Sequence, residues 1–138
     1  MLDMIALALT LQSADLEAVR LCVGGQFTGF RRADGRVWWS DPTDDSDARK
    51  PFDPSRYPTV HDRAWFAARA PLTVDGRTYV YDGMHRIEWA FNRYYRQRPD
   101  HDGVIAAAPQ GSEESILLLL SNPIGCEFAQ YRLSAEID

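Results

Sequence analysis

The chain has 138 residues, 45% of them apolar and 25% charged, which suits one domain burying roughly two-thirds of its unfolded surface and rules out the composition of a disordered polymer. A net charge of −5 sets up a field that repels nucleic-acid backbones and anionic membrane surfaces. Neither is an expected partner.

The apolar stretch Met4 to Leu11 falls short of the roughly 20 residues that a spanning helix needs, so no membrane span is expected. It has the length of a secretory h-region ending near Ala14, although Asp3 precedes it and no Lys or Arg does. Residues 1–14 are therefore set apart as a signal-like segment with cleavage left open, and 15–138 as a single β-barrel-like domain. Leu16, Val19 and Val23 recur at helical spacing behind an N-cap at Ser13, with Asp15 and Glu17 at the positive end of the helix dipole. Gly24 and Gly25 end that helix.

Gln26 to Arg32 reads as a strand, Ala33-Asp34-Gly35 as a turn, and Arg36 to Ser40 as the return strand. Trp38 and Trp39 then fall on opposite faces, with one of them inside. From Asp41 to Pro58 the absence of an apolar period predicts a surface loop, and its acids Asp41, Asp44, Asp45 and Asp47 lack calcium-loop spacing. Val60 to Ala70, bounded by Pro58 and Pro71, is expected to be a strand. The turn at Val74-Asp75-Gly76 leads into Arg77 to Tyr81 as a hairpin.

Met84, Ile87, Phe91 and Tyr94 fall at helical spacing and predict a short helix from Met84 to about Arg93. Beyond Arg93 the pattern fits helix or strand. Gly103 to Ala108, Ser115 to Ser121 and Cys126 to Leu133 complete the strands, with a turn at Gln110-Gly111. About seven strands and one or two short helices describe a mainly β, β-rich α+β protein, an antiparallel barrel or strongly curved sheet entered by one short N-terminal helix.

His61, His85 and His101 sit in separate elements without partners at ligand spacing, so no metal site is expected. There is no nucleophile elbow and no glycine-rich phosphate loop, and no cofactor is implied. Asp82 and Glu88 fit either paired acid/base carboxylates or a surface ion pair. The segment Asn92 to Arg98 alternates guanidinium forks with phenols and amides, a pattern that binds carboxylates bidentately. Arg96 and Arg98 share a face if it is a strand, Arg93 and Arg96 if it is a helix; the alternative is a basic edge paired with the protein's own aspartates. Cys22 and Cys126 would pair in an oxidising compartment and stay reduced in the cytosol, which leaves localisation open between cytoplasmic and exported.

Several residues in chain order resemble the CpcT/CpeT family of phycobiliprotein chromophore lyases. They are a helix running into Gly25-Gln26-Phe27, the pair Tyr79-Val80, the run Tyr95-Arg96-Gln97-Arg98, and the step Gly125-Cys126. The resemblance implies a lipocalin-like antiparallel calyx, often a homodimer, whose cavity holds a linear tetrapyrrole and delivers it to a cysteine of a partner phycobiliprotein. Arg96 and Arg98 would pair with the bilin propionates, Tyr79, Tyr81 and Tyr95 would line the pocket, and an acid would protonate the bilin. Family members carry a glutamate directly after the Tyr-Val pair, where Tyr81 stands here with Asp82 one place later. Asp82 is thus the candidate catalytic acid, displaced onto the other face of a strand.

These features favour a calyx that binds a small apolar molecule bearing a carboxylate, such as a bilin, over a competent lyase. Two alternatives stand beside it. One is an NTF2-like α+β enzyme using Asp82 or His85 as acid/base in an apolar pocket. The other is a small exported interaction domain, stapled through Cys22 and Cys126, with no ligand.

Overall fold

The computed structural model describes residues 17–42, 49–87 and 91–134. The signal-like segment, the N-cap Ser13, the acids Asp44, Asp45 and Asp47, and Glu88 lie outside the described residues. The chain is mainly β, with a curled antiparallel sheet that forms a half-barrel and only two short helices among the described residues. It divides into two compact units, one of residues 1–19 and 28–53, the other of residues 20–27 and 54–138.

Strands β1 (Glu17–Cys22), β2 (Gln26–Arg31), β3 (Val37–Trp39) and β4 (Lys50–Pro51) form a four-stranded sheet in that order. The β2–β3 hairpin follows from its loop: Arg32 and Arg36 close it at 2.9 Å around Ala33, Asp34 and Gly35. Gly35 takes φ +86, the left-handed geometry that a three-residue hairpin loop demands of its last member. Trp39 is the inward tryptophan, buried with Val37 and meeting Phe52 edge-on at 5.0 Å. Among its described residues, the segment expected to be one loop from Asp41 to Pro58 contains β4 and a 3-10 turn at Pro54–Arg56. Asp41 in it is buried and ion-paired to Lys50 at 3.3 Å.

The larger sheet comprises β5 (Leu72–Val74), β6 (Arg77–Arg86), β7 (Tyr95–His101), β8 (Val104–Pro109), β9 (Ser115–Leu119) and β10 (Glu127–Leu133), ordered β5-β6-β10-β9-β8-β7. Every pairing in it that the register defines is antiparallel. Helices α1 (Ala64–Ala67) and α2 (Phe91–Tyr94) are each one turn long. Leu117, Leu118, Leu119, Phe128, Ala129 and Tyr131, from the two central strands, make the middle of the core.

Three expectations are corrected. Residues 17–22 are a strand and not the N-terminal helix, because their backbone groups find partners in the loop before β10. Cys22 N–H donates to the Pro123 carbonyl at 3.1 Å, Gly125 N–H donates to the Arg20 carbonyl at 2.9 Å, and Leu21 bridges Ile124. Tertiary pairing of this kind outweighs a weak helical propensity. Val60 to Ala70 is a 3-10 turn at Val60–Asp62 followed by α1, not a strand; its four alanines favour helix, and Val60 and Phe66 bury against the core. Of the helix expected from Met84 to about Arg93, residues 84–86 belong to β6, because β10 holds that strand extended as far as Arg86, opposite Glu127, while Phe91–Tyr94 form α2. The ambiguous stretch after Arg93 is a strand.

Candidate functional site

Side chains alternate across a strand, so the cross-strand register sorts the residues of the large sheet onto two faces. Arg98 lies opposite Ala106, Ala106 opposite Leu118 and Leu118 opposite Ala129, which places Arg98 and Arg96 on the same face as Tyr131. Tyr131 and Leu133 lie opposite Tyr81 and Tyr79, which join that face. Tyr95 falls on the other face, with Gln97, Ala107, Leu117, Gln130, Phe128 and His85. The structure thus unites Arg96, Arg98, Tyr79 and Tyr81 on one side of the sheet and separates Tyr95 from them.

On the first face the arginines meet carboxylates of the chain itself. Arg98, 8% exposed, donates from Nη1 to Glu113 Oε2 and from Nη2 to Asp75 Oδ2, both at 2.7 Å. Arg96 Nη2 donates to Glu113 Oε1 at 2.7 Å. The core phenol Tyr79 donates to the Glu113 carbonyl at 2.8 Å. Asp75 belongs to the β5–β6 turn at one edge of the sheet and Arg98 to the strand at the opposite edge, so this ion pair spans the curl. Burial works to lower the Arg98 pKa, but the bonds to Asp75 and Glu113 and their charges outweigh it and raise the value. Tyr81 packs edge-on against Phe66 and Tyr131 at 5.4 and 5.7 Å, with the Arg69 guanidinium 4.1 Å over its ring.

The bond from Arg98 holds the Glu113 carboxyl below its ordinary value of 4.5; desolvation opposes this, and the Arg98 and Arg96 charges add to it. A carboxyl depressed on folding contributes stability that is complete above its unfolded value and is lost as pH falls through the folded one. Glu113→Gln is therefore expected to flatten the acid limb of thermal stability below about pH 4.5 and to leave the neutral-to-basic shape unchanged. Melting temperatures recorded between about pH 3 and pH 8 check this, and an acid limb identical to wild type would count against it.

The second face carries an arrangement that was not singled out as a pair in the sequence. His85 Nε2 and Tyr95 Oη share a hydrogen bond of 2.9 Å, linking β6 with β7. Tyr95 is held from behind by stacking on Phe91 at 5.8 Å, and Phe91 stacks on Phe128 at 6.4 Å. The pair borders a recess of about 80 Å³ lined also by Pro109, Ser115, Leu117 and Gln130. Ser115 and Gln130 also line an open groove of about 570 Å³ with Glu114, Arg132, Leu133 and Ser134. Asp82, the candidate acid, is ion-paired to Arg132 at 2.7 Å with its side chain 43% exposed. A half-exposed pair of this kind is a weak lock on Arg132.

Cys22 and Cys126, both buried, form a disulfide across 104 positions of sequence. Among the described residues, no helix is long and apolar enough to cross a membrane, and no group of three or more His, Cys, Asp or Glu is placed to hold a metal ion. Fold and cross-link together define a class, a disulfide-linked antiparallel half-barrel. No family model matches the chain, and neither a curated protein nor a solved structure matches it.

Proposed function

We propose that this chain binds a small, mainly apolar molecule carrying a carboxylate, with a linear tetrapyrrole as the first candidate, and does so without making or breaking a bond. The supporting observation is the His85–Tyr95 pair at the inner end of a groove that passes Ser115 and Gln130 to reach Arg132. The groove volume falls within the range of small-molecule sites; its walls are mostly polar, with Leu133 as the apolar member, and the apolar Leu117 and Pro109 line the recess beside the His85–Tyr95 pair. His85 and Tyr95 supply a donor and an acceptor for a polar atom of the ligand.

The carboxylate goes to Arg132 and not to Arg96 or Arg98. Both amino groups of Arg98 are engaged by carboxylates and Arg96 shares one of them, so a ligand there would have to displace paired charges. Arg132 has a single partner among the described residues, Asp82, and both are well exposed. The disulfide supports an oxidising compartment as the site of action.

Titration with biliverdin, followed by its absorbance, tests this. Wild type is expected to shift the spectrum, and His85→Ala and Arg132→Gln are each expected to weaken binding at least about tenfold, as loss of a charge-assisted or buried hydrogen bond does. Biliverdin dimethyl ester, which lacks the carboxylates, should bind like the Arg132→Gln complex. No spectral change, or equal affinity for acid and ester in every variant, would remove the proposal.

A further inference from the structure

The small sheet carries a basic face independent of the His85 groove. Phe30 of β2 pairs with Trp38 of β3, and Arg32 and Arg36 form the next rung, closed by their own backbone bond. The period of two puts all four side chains on one face. Trp38 pairs on its other side with Pro51, which places Arg49, two positions earlier, on that face as well. The opposite face holds Val37 and Trp39, which are buried.

The Arg32 and Arg36 guanidiniums lie 4.3 and 5.6 Å from the Trp38 ring centre, and that of Arg49 lies 4.6 Å from Phe30. Among the described residues none of the three guanidiniums has a carboxylate partner, the Asp34 carboxylate of the loop accepting instead from the Arg36 backbone N–H at 2.9 Å, whereas the guanidiniums of Arg96, Arg98 and Arg132 are all paired. Two cations directly opposite each other on neighbouring strands repel. The aromatic rings beneath hold them in place without neutralising them.

We propose that this face is a binding site for an acidic polysaccharide, whose anionic groups are received by the guanidinium forks of Arg32, Arg36 and Arg49. Guanidinium forks match the paired oxygens of carboxylate and sulfate. A nucleic acid is the poorer fit, since bases need open ring faces to stack on and those of Trp38 and Phe30 carry guanidiniums. The disulfide points to an oxidising compartment, where polysaccharide is an abundant polyanion and nucleic acid is not. The net charge of −5 does not forbid the contact, because at physiological salt charges beyond about 8 Å are largely screened.

The test uses the full chain on immobilised heparin and on immobilised polygalacturonate, with poly(dT) as competitor. Binding to at least one polysaccharide is expected at physiological salt, released by further sodium chloride, and weakened at least about tenfold in Arg32→Gln/Arg36→Gln. Arg49→Gln is expected to weaken it in the same direction, and it decides the matter should the hairpin variant fail to fold by circular dichroism. Arg77→Gln, on the other sheet, should bind as wild type. Absence of binding to both polysaccharides, retention unchanged by the substitutions, or preferential release by poly(dT) would overturn the proposal.

Discussion

Replacing Cys22 and Cys126 together by alanine is expected to cost about 4 kcal/mol of stability. The bond closes a loop spanning 104 positions, and in the chain-entropy account a loop near that length restricts the unfolded chain by between about 4 and 5 kcal/mol. At roughly 3 to 4 °C per kcal/mol for a chain of this size, the melting temperature should fall by roughly 12 to 16 °C. Adding reductant to wild type should reproduce the shift. The backbone bonds from Cys22 to Pro123 and from Gly125 to Arg20 remain available after the sulfur bridge is gone, so the folded state should still form below the new midpoint. A double variant melting within a few degrees of wild type would mean that the cross-link does not restrict the unfolded chain.

Phe128→Ala is expected to lower stability by about 3 to 5 kcal/mol, the range for removing a large aromatic from a closed core. Phe128 is fully buried on a central strand, between Leu119 of β9 and His85 of β6. The consequence reaches the groove through packing. Phe128 supports Phe91, Phe91 supports Tyr95, and Tyr95 holds His85, so a void at the base of the stack frees the phenol that meets the imidazole. Phe128→Leu separates the two effects, since it refills part of the volume while breaking the ring stack. Urea unfolding should then show the smaller loss of stability, whereas biliverdin affinity should drop as far as in the alanine variant. Unchanged affinity in Phe128→Leu would show that Tyr95 is positioned by something other than the stack.

Legibility in the sequence followed the distance over which each feature is decided. Ala33-Asp34-Gly35, Asp75-Gly76 and Gln110-Gly111 were readable because left-handed glycine and short polar side chains set a turn within a few residues. The strands flanking the first and last of these turns were readable with them, whereas before Asp75-Gly76 the strand was placed at Val60–Ala70 instead of Leu72–Val74; one tryptophan of the Trp38-Trp39 pair was assigned inward from alternation alone. Residues 17–22 were misread because local spacing pointed to helix while contacts about 100 positions distant set the backbone, and residues 60–70 because aromatic content and bounding prolines masked the helix propensity of four alanines.

The site followed the same rule. Arginines at 96 and 98 could be placed on a common face as soon as the segment was a strand, and the possibility that the protein's own acids would engage them was visible from composition. Which acids do so was not visible, since Asp75 and Glu113 lie 23 and 15 positions from Arg98 and meet it only through the curl of the sheet. His85 and Tyr95 are ten positions apart in sequence, yet their strands are separated by three others in the sheet, so nothing local announces the contact.

The sequence by itself therefore determined the β-rich class, the hairpin turns, the alternating faces and the pair of cysteines able to bond, since each depends on chemistry within a few residues or on composition. Tertiary structure alone decided the strand order, the closure of the disulfide, the pairing of Arg98 with Asp75 and Glu113, and the meeting of His85 with Tyr95. The physical reason is register: a shift of one residue between neighbouring strands moves every side chain to the opposite face, and only the packed sheet sets that shift.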